Sequence, residues 1–406
     1  MHILFFVDNF PPEVNAPATR TFAHTRQWVK SGHQVTVITC APNFPKGKVF
    51  PGYRNRLWQS EWIDGIRVIR VWTYIAANEG FYRRVLDYIS YMISSTLASP
   101  FVRNVDVVVG TSPQFFTVCA AFMASRLKKV PFVFEVRDLW PESIIAVGAM
   151  QNSRVIRLLE RIEVFLYHKA EAIVTVTESI KRKIIEKGVP STKISVVTNG
   201  VDTSSCFALP RDEKLSLELG LEGCFVGGYI GTHGLAHGLE TLLDAAEIFK
   251  NLKQLDFHFL FIGDGANKAK LVERARSRNL NNVTFVSTVP KNEVSRYWSL
   301  LDVSIIHLRN IELFAGALPS KMFESMGMGI PLVHGVAGES ADLVRRYQLG
   351  VVFRSEDAEA LCKAMMLMKN NQILLDGFRK NCLETSYGYD RKNLAADFLK
   401  VLASCA

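Results

Sequence analysis

Leu318-Pro319-Ser320-Lys321-Met322-Phe323-Glu324-Ser325-Met326-Gly327-Met328-Gly329-Ile330-Pro331 carries the pattern of a loop entering a helix at the edge of a ligand crevice. Just upstream, Asp302-Val303-Ser304-Ile305-Ile306-His307-Leu308 is a β-branched apolar run bounded by polar residues, the pattern of a core strand in a parallel sheet. The small-residue loop Phe314-Ala315-Gly316-Ala317 follows, and then a helix for which Ser320 stands where an N-cap would. Lys321 and Glu324 share one face of that helix. A helix start at the carboxyl end of a central strand offers an anion free N–H groups, a favourable dipole and, here, a lysine. Lys321 then meets a phosphate while Glu324 accepts hydrogen bonds from two sugar hydroxyls, which describes a nucleotide-sugar pocket. An ordinary strand–loop–helix unit with a surface lysine and glutamate reads the same residues without chemistry, so the rest of the chain has to decide.

The second half repeats one design. Phe225–Ile230 reads as a strand entering the loop Gly231-Thr232-His233-Gly234-Leu235-Ala236-His237-Gly238 and then a helix. Gly-rich strand-to-helix turns cradle phosphates, although this one is neither a Walker loop nor G-x-G-x-x-G. Phe257–Ile262 with Gly263-Asp264-Gly265, then Val283–Ser287, continue the sheet.

The first half is built alike. Strand Ile3–Val7, a loop over 8–17, a helix from about Thr19 to Ser31 and strand Gln34–Thr39 form one βαβ unit. Its loop lies where open α/β sheets place ligands. Small or polar residues at Asn15 and Ala16 let a substrate approach the backbone; a proline-stiffened surface turn accounts for the loop equally. Phe81–Leu97 is an apolar, aromatic helix with a basic start at Arg83 and Arg84. It is too short and too hydroxyl-rich to span a bilayer, and fits either a membrane interface or a buried core. Strand Phe132–Val136 ends in Arg137-Asp138-Leu139-Trp140-Pro141-Glu142-Ser143, and charges at that end of a strand are costly unless paired or functional. Strand Ala172–Thr177, a helix capped by Glu178-Ser179 and strand Ile194–Thr198 lead to the turn Asn199-Gly200-Val201-Asp202. The polar stretch after it puts a domain boundary near 200.

With 406 residues the chain exceeds a single core. The expected class is α/β, two facing, doubly wound, Rossmann-like domains with a cleft between them. Residues 1–200 carry 25 Lys+Arg against 15 Asp+Glu, and the remainder 23 against 24. The basic half calls for an anionic partner. No basic run with interleaved aromatics reads as a nucleic-acid stripe, so the expected partner is an anionic membrane surface and no nucleic acid. Seven scattered cysteines without a C-x-x-C argue for a reducing compartment, with neither disulfides nor a zinc site. No apolar run reaches about 18 residues, and Met1–Asp8 reads as a first strand rather than a signal peptide.

Taken in order, Phe10-Pro11-Pro12-Glu13 with Arg20, Gly32-His33-Gln34-Val35-Thr36-Val37, Arg137-Asp138-Leu139-Trp140-Pro141-Glu142, Asn199-Gly200-Val201-Asp202, Gly263-Asp264-Gly265 and Pro319-Ser320-Lys321 through Glu324 to Pro331 resemble the retaining glycosyltransferases of GT-B fold, family 4. The Arg137–Glu142 block and the apolar helix before it look most like transferases of N-acetylated amino-deoxysugars, such as the WbuB-type N-acetyl-L-fucosamine transferases of O-antigen and capsule synthesis. Gly316 stands where the family usually has the first of two glutamates, Glu324 being the second. Thr232 and His237 stand where it usually has an Arg and a Lys.

The resemblance implies an acceptor- and membrane-facing domain over 1–200, joined by a C-terminal helix over 388–406, and a donor-binding domain over 201–387. It implies catalytic groups at Lys321, Glu324, Arg137 and Asp138. Donor contacts fall at Gly231, Thr232, Gly265, Val289, Arg309, Gly316, Ala317, Leu318, Pro319, Ser320, Lys321 and Glu324, and acceptor contacts at Glu13, Asn15 and Arg20. The donor is a UDP-sugar and the acceptor a polyprenyl-diphosphate-linked saccharide, at the inner face of the cytoplasmic membrane. No cofactor and no metal are expected, there being no D-x-D pair to hold one. A sugar-nucleotide 2-epimerase of the same fold and a non-catalytic nucleotide-sugar scaffold are the rival readings.

Overall fold

The computed structural model describes residues 1–44, 46–75, 81–140, 142, 153–290 and 293–406. Pro141 and Ser143 of the charged block therefore lie outside the described residues. The chain divides into two compact units, Met1–Thr198 with Arg391–Ala406, and Asn199–Asp390.

The first unit runs β1 (His2–Phe6), α1 (Ala16–Lys30), β2 (Gln34–Cys40), β3 (Trp58–Ile63), β4 (Ile66–Val71), α2 (Phe81–Ala98), β5 (Val107–Thr111), α3 (Phe115–Lys128), β6 (Phe132–Val136), α4 (Ser153–Lys169), β7 (Ala172–Thr175), α5 (Glu178–Glu186) and β8 (Ile194–Val196). The strands lie in the order β3-β4-β2-β1-β5-β6-β7-β8, parallel except for the β3–β4 hairpin. That hairpin turns on Asp64 and Gly65 with φ of 47° and 78°, as a two-residue turn matching strand twist requires. Two helix starts differ from expectation. Asn15 caps α1, its Oδ1 accepting from Ala18 N at 3.0 Å, so the helix begins at Ala16 with Pro17 in its first turn, where a missing N–H costs nothing. Thr177, not Glu178-Ser179, caps α5 through Ile180 N.

The second unit runs α6 (Glu213–Glu218), β9 (Phe225–Ile230), α7 (Glu240–Asn251), β10 (Phe257–Ile262), α8 (Lys268–Ser277), β11 (Val283–Val286), α9 (Val294–Trp298), β12 (Val303–His307), α10 (Ser320–Gly327), β13 (Leu332–Gly335), α11 (Glu339–Arg346), β14 (Gly350–Val352), α12 (Ala358–Asn370) and α13 (Gln372–Gly388). Its strands lie in the order β11-β10-β9-β12-β13-β14. The final helix, α14 (Arg391–Cys405), belongs to the first unit, where Trp28 Nε1 donates to Ala395 O and the Trp28 ring meets Phe398 edge-on at 5.3 Å.

Strand alternation builds the two layers of the first unit. Leu4 and Phe6 point into a cluster with α2, α3, α4 and α5, while Ile3, Phe5 and Val7 point into one with α1 and α14. Each sheet also has a point where the strand order reverses, between β1 and β5 in the first unit and between β9 and β12 in the second. Loops at the carboxyl ends of those strands diverge there and leave a crevice. Among the described residues no helix is long and apolar enough to cross a membrane.

Candidate functional site

In the second unit the crevice lies between the loops after β9 and β12. Helix α10 starts at Ser320 with Pro319 as its N-cap residue and no side chain capping its N–H groups. The expected Ser320 cap is thereby corrected: Pro319 holds the non-helical geometry (φ −59°, ψ 128°), and Ser320 is already inside the helix. Lys321 Nζ donates to Glu324 Oε2 at 3.0 Å, both side chains being partly exposed. The Lys321 Cε lies 3.6 Å from the place a Cβ on Gly231 would take, so the cation of α10 borders the glycine loop after β9.

That loop is held backbone to backbone. His233 N donates to Asp264 O and Asn267 N to His233 O, both at 2.9 Å. A Cβ on Gly265 would stand 2.6 Å from His233 O, which explains the glycine there. Arg309 straps the loop from the other side, donating from Nε to Leu235 O at 2.7 Å and from its own N to Ala236 O. His307 donates Nδ1–H to His237 O at 2.7 Å and accepts at Nε2 from Glu356 N, which fixes its tautomer. Thr232 is exposed, its carbonyl accepting from the Tyr229 hydroxyl at 2.9 Å. His233 is fully buried, neither ring nitrogen has a partner among the described residues, and burial pulls its pKa down to about 4. Gly316 ends a short turn and Ala317 N donates to Phe314 O, while Gly338, at φ 78°, lets Ala315 O come where a Cβ would clash. Leu318 is buried in the apolar cluster beneath α10. Val289 packs with the cluster around Ile230, Ile262 and Trp298.

The first unit holds a cavity of about 550 Å³ at its own switch point, lined from β1 by Asp8 and Asn9, from β2 by Cys40, and from β6 by Asp138 and Trp140. Arg84, Asp87, Tyr88 and Tyr91 of α2 form a further wall. Carboxylates and amides over aromatic rings suit a saccharide, whose hydroxyls donate and whose C–H faces stack. Trp140 is held in place at the cavity wall, stacked on Phe115 at 4.5 Å. Burial raises the Asp8 carboxyl to about 6, opposed by the N–H groups of residues 8 and 9 and by Arg137. Burial also raises Asp138, again against Arg137. Ser112 Oγ accepts from the backbone N–H of Arg137 (2.8 Å) and Asp138 (3.3 Å), orienting the end of β6. Nε and Nη1 of Arg137 are buried without a hydrogen-bond partner among the described residues, and burial lowers the guanidinium pKa.

Of the three expected acceptor contacts, Asn15 alone lines this cavity, and its side chain also donates to Asn9 Oδ1. Glu13 is buried and accepts from the backbone N–H of Phe10, Asn43 and Phe44. Arg20 is buried too, paired with Glu135 at 2.9 Å and donating to the carbonyls of Val197 and Thr198. Those partners give Glu13 and Arg20 the work of holding loops and strand ends in place. Asp8, Asp87 and Trp140 also line the cavity, although the sequence does not single them out as contacts. Asp8 had a signal, a carboxylate directly after the first apolar strand. Among the described residues no group of three His, Cys, Asp or Glu is placed to hold a metal ion.

Residues 15–200 match the family described as glycosyl transferase 4-like domain, and residues 223–385 the family described as glycosyl transferases group 1. The chain is 24% identical to the putative colanic acid biosynthesis glycosyl transferase WcaI of Escherichia coli (strain K12), over 92% of this chain and 94% of that one. Sucrose-phosphate synthase from Thermosynechococcus elongatus superposes with a TM-score of 0.79 at 13% identity, covering 99% of this chain and 98% of that one. HepE from Anabaena, solved in complex with UDP-glucose, superposes with a TM-score of 0.72 at 15% identity over the whole of both chains.

Proposed function

Because this chain belongs to the GT4-type glycosyltransferases and carries two Rossmann-like domains of the GT-B kind, we propose that it moves a sugar, with retention at the anomeric carbon, from a UDP-sugar to a lipid-linked saccharide. The setting we infer is bacterial surface polysaccharide synthesis, O-antigen or capsule, with the protein peripheral to the inner face of the cytoplasmic membrane. The sugar is N-acetyl-L-fucosamine or a related N-acetylated amino-deoxyhexose. Relatives support the class of chemistry, one being a putative colanic acid transferase and one having been solved with UDP-glucose.

The observation that carries the donor side is Lys321, set at the start of α10 and beside Gly231 of the facing loop. Transfer requires a departing diphosphate to be stabilised next to an oxocarbenium-like sugar, so fixed positive charge is the main catalytic demand. Lys321 and the uncapped N–H groups of α10 supply it in the absence of a metal. Glu324 accepts from the ribose hydroxyls, and the backbone from Gly316 to Ser320, at the loop leading into α10, contacts the diphosphate and sugar. The acceptor sugar occupies the cavity of Asp8, Asn15, Asp138 and Trp140. Free UDP released only when donor and lipid-linked acceptor are both present tests the reading, and the rate persists in EDTA. An epimerase changes the sugar without acceptor, and a scaffold binds without turnover. Activity lost in EDTA and regained with Mn²⁺ contradicts the metal-free part.

A further inference from the structure

The cavity of the first unit is rich in acceptors and poor in anything that would hold an anion. An anionic group is bound by cations or by free N–H and O–H groups, whereas a sugar hydroxyl is bound well by carboxylates. Three carboxylates line this cavity from three elements, Asp8 just beyond β1, Asp87 in α2 and Asp138 just beyond β6. Several of the lining donors are engaged elsewhere. Asn15 gives an amide N–H to Asn9 Oδ1, and Asn43 gives one to Ala41 O. The Tyr91 hydroxyl donates to the carbonyls of Val7 and Ile38, and Cys40 Sγ to Asp8 O. Arg84 is the one cation among the described lining residues; it is exposed, and its Nη2 donates to the Tyr88 hydroxyl at 3.0 Å.

The cations behind the walls are matched by acids. Arg70 is buried, pairs with Glu61 and donates to the carbonyls of Pro11 and Cys40. Arg20 pairs with Glu135, whose charge also acts on Arg137. Glu13 adds a buried carboxylate in the loop that carries Asp8, while Lys46 and Lys48 are exposed and do not line the cavity. The walls register the resulting sign. Burial first raises the pKa of Cys40, Tyr88 and Tyr91, and the Asp8 carboxylate adds to the rise at all three, against Arg70 at Cys40 and Arg84 at Tyr88.

We propose that this cavity excludes anions. The saccharide end it takes is neutral or carries a free amine, and a terminal sugar bearing a carboxylate, phosphate or sulfate is refused, with Asp8 and Asp138 as the specificity-determining residues. The inference rests on the acceptor reading given above and narrows it to a class of terminal sugar. A hexose or N-acetylhexosamine brings hydroxyl donors to the three carboxylates and a C–H face to Trp140, whereas a hexuronic acid sets a like charge beside Asp8 or Asp138 with no free cation to answer it.

Two measurements test it at neutral pH. The first compares transfer to lipid-linked acceptors that end in a neutral hexose or in the matching hexuronic acid. The like-charge contact lowers kcat/KM for the uronic acceptor by about 100-fold, and Asp8→Asn and Asp138→Asn each narrow that gap by about tenfold. The second needs neither donor nor lipid. Phe44→Cys places a thiol on the cavity wall, and mass spectrometry of its peptide follows the reaction with cationic trimethylammonioethyl methanethiosulfonate and with anionic sulfonatoethyl methanethiosulfonate. The ratio of the two rates cancels the thiol's own reactivity. It exceeds that of free mercaptoethanol by about tenfold, and falls toward it when Asp8→Asn and Asp138→Asn are combined. Equal use of the two acceptors, a preference for the uronic one, or a thiol ratio no higher than that of mercaptoethanol overturns the inference. A raised ratio that answers to the two substitutions, in protein that uses neither acceptor, leaves the anion exclusion standing and removes the transferase reading.

Discussion

Lys321 and Glu324 form a 3.0 Å pair but answer to different stages of the proposed reaction. Lys321 faces charge that grows as the diphosphate departs, so Lys321→Ala lowers kcat by about 10²–10³, as loss of other oxyanion-stabilising donors does. Glu324 holds ribose hydroxyls that change little during transfer, so Glu324→Ala raises the donor KM with a smaller effect on kcat. The double variant is not additive, because each residue is the other's resting partner. Steady-state kinetics with varied donor decide it, and a Lys321→Ala kcat within about twofold of wild type moves the diphosphate elsewhere. Asp8 gives a second residue-level outcome. Its carboxyl, raised by burial to about 6, takes up a proton below that pH and stops accepting from a hydroxyl. Acceptor KM therefore rises as pH falls from 7 to 5, and Asp8→Asn flattens the profile. A wild-type acceptor KM constant over that range removes Asp8 from the site.

Elements were more legible than the side chains they carry. The strands could be read because parallel core strands are near-continuous β-branched runs, as in Val107–Val109 and Val303–Ile306. Helix starts misled where a proline obscured the cap. The sequence puts the start of α1 near Thr19, whereas the helix begins at Ala16 behind an Asn15 cap with Pro17 in its first turn, and Pro319 rather than Ser320 holds the cap geometry of α10. The strand-end loops were legible as crevice walls, but which charges were already engaged was not. Arg20 meets Glu135, Val197 and Thr198, and Glu13 meets residues 43 and 44, and no local pattern announces partners that far along the chain. At this scale the second sheet and its flanking helices make a prediction about acid. Burial holds His233 and His258 down to about 4 and His334 to about 3. The unfolded chain binds these protons near 6.5, so stability is intact above that pH and falls as pH drops toward 4. Each ring contributes up to about 1.4 kcal/mol per pH unit within the window. Hydrogen exchange of the β9 and β10 amides should thus accelerate from pH 6.5 to 5 after correction for intrinsic rates. Constant protection would mean that the rings are not held neutral.

On the scale of the whole molecule, the sequence's two strand–helix series correspond to two compact units, and α14 returns to the first of them. Each unit carries its crevice at its own strand-order reversal, and the residues collected there differ in kind. The first brings Asp8, Asp138 and Trp140 to a saccharide-like cavity, and the second brings Lys321 to a glycine loop. The loops after β9 and β12, with the start of α10, are proposed to hold the UDP end of a sugar donor, and hydrogen exchange of the full chain with and without saturating UDP checks this. Bound UDP slows exchange in residues 231–238 and 316–324 and leaves the amides around Asp8 and Asp138 unchanged. Slowing confined to the first unit, or absent from both segments at saturation, rules out UDP binding at this site.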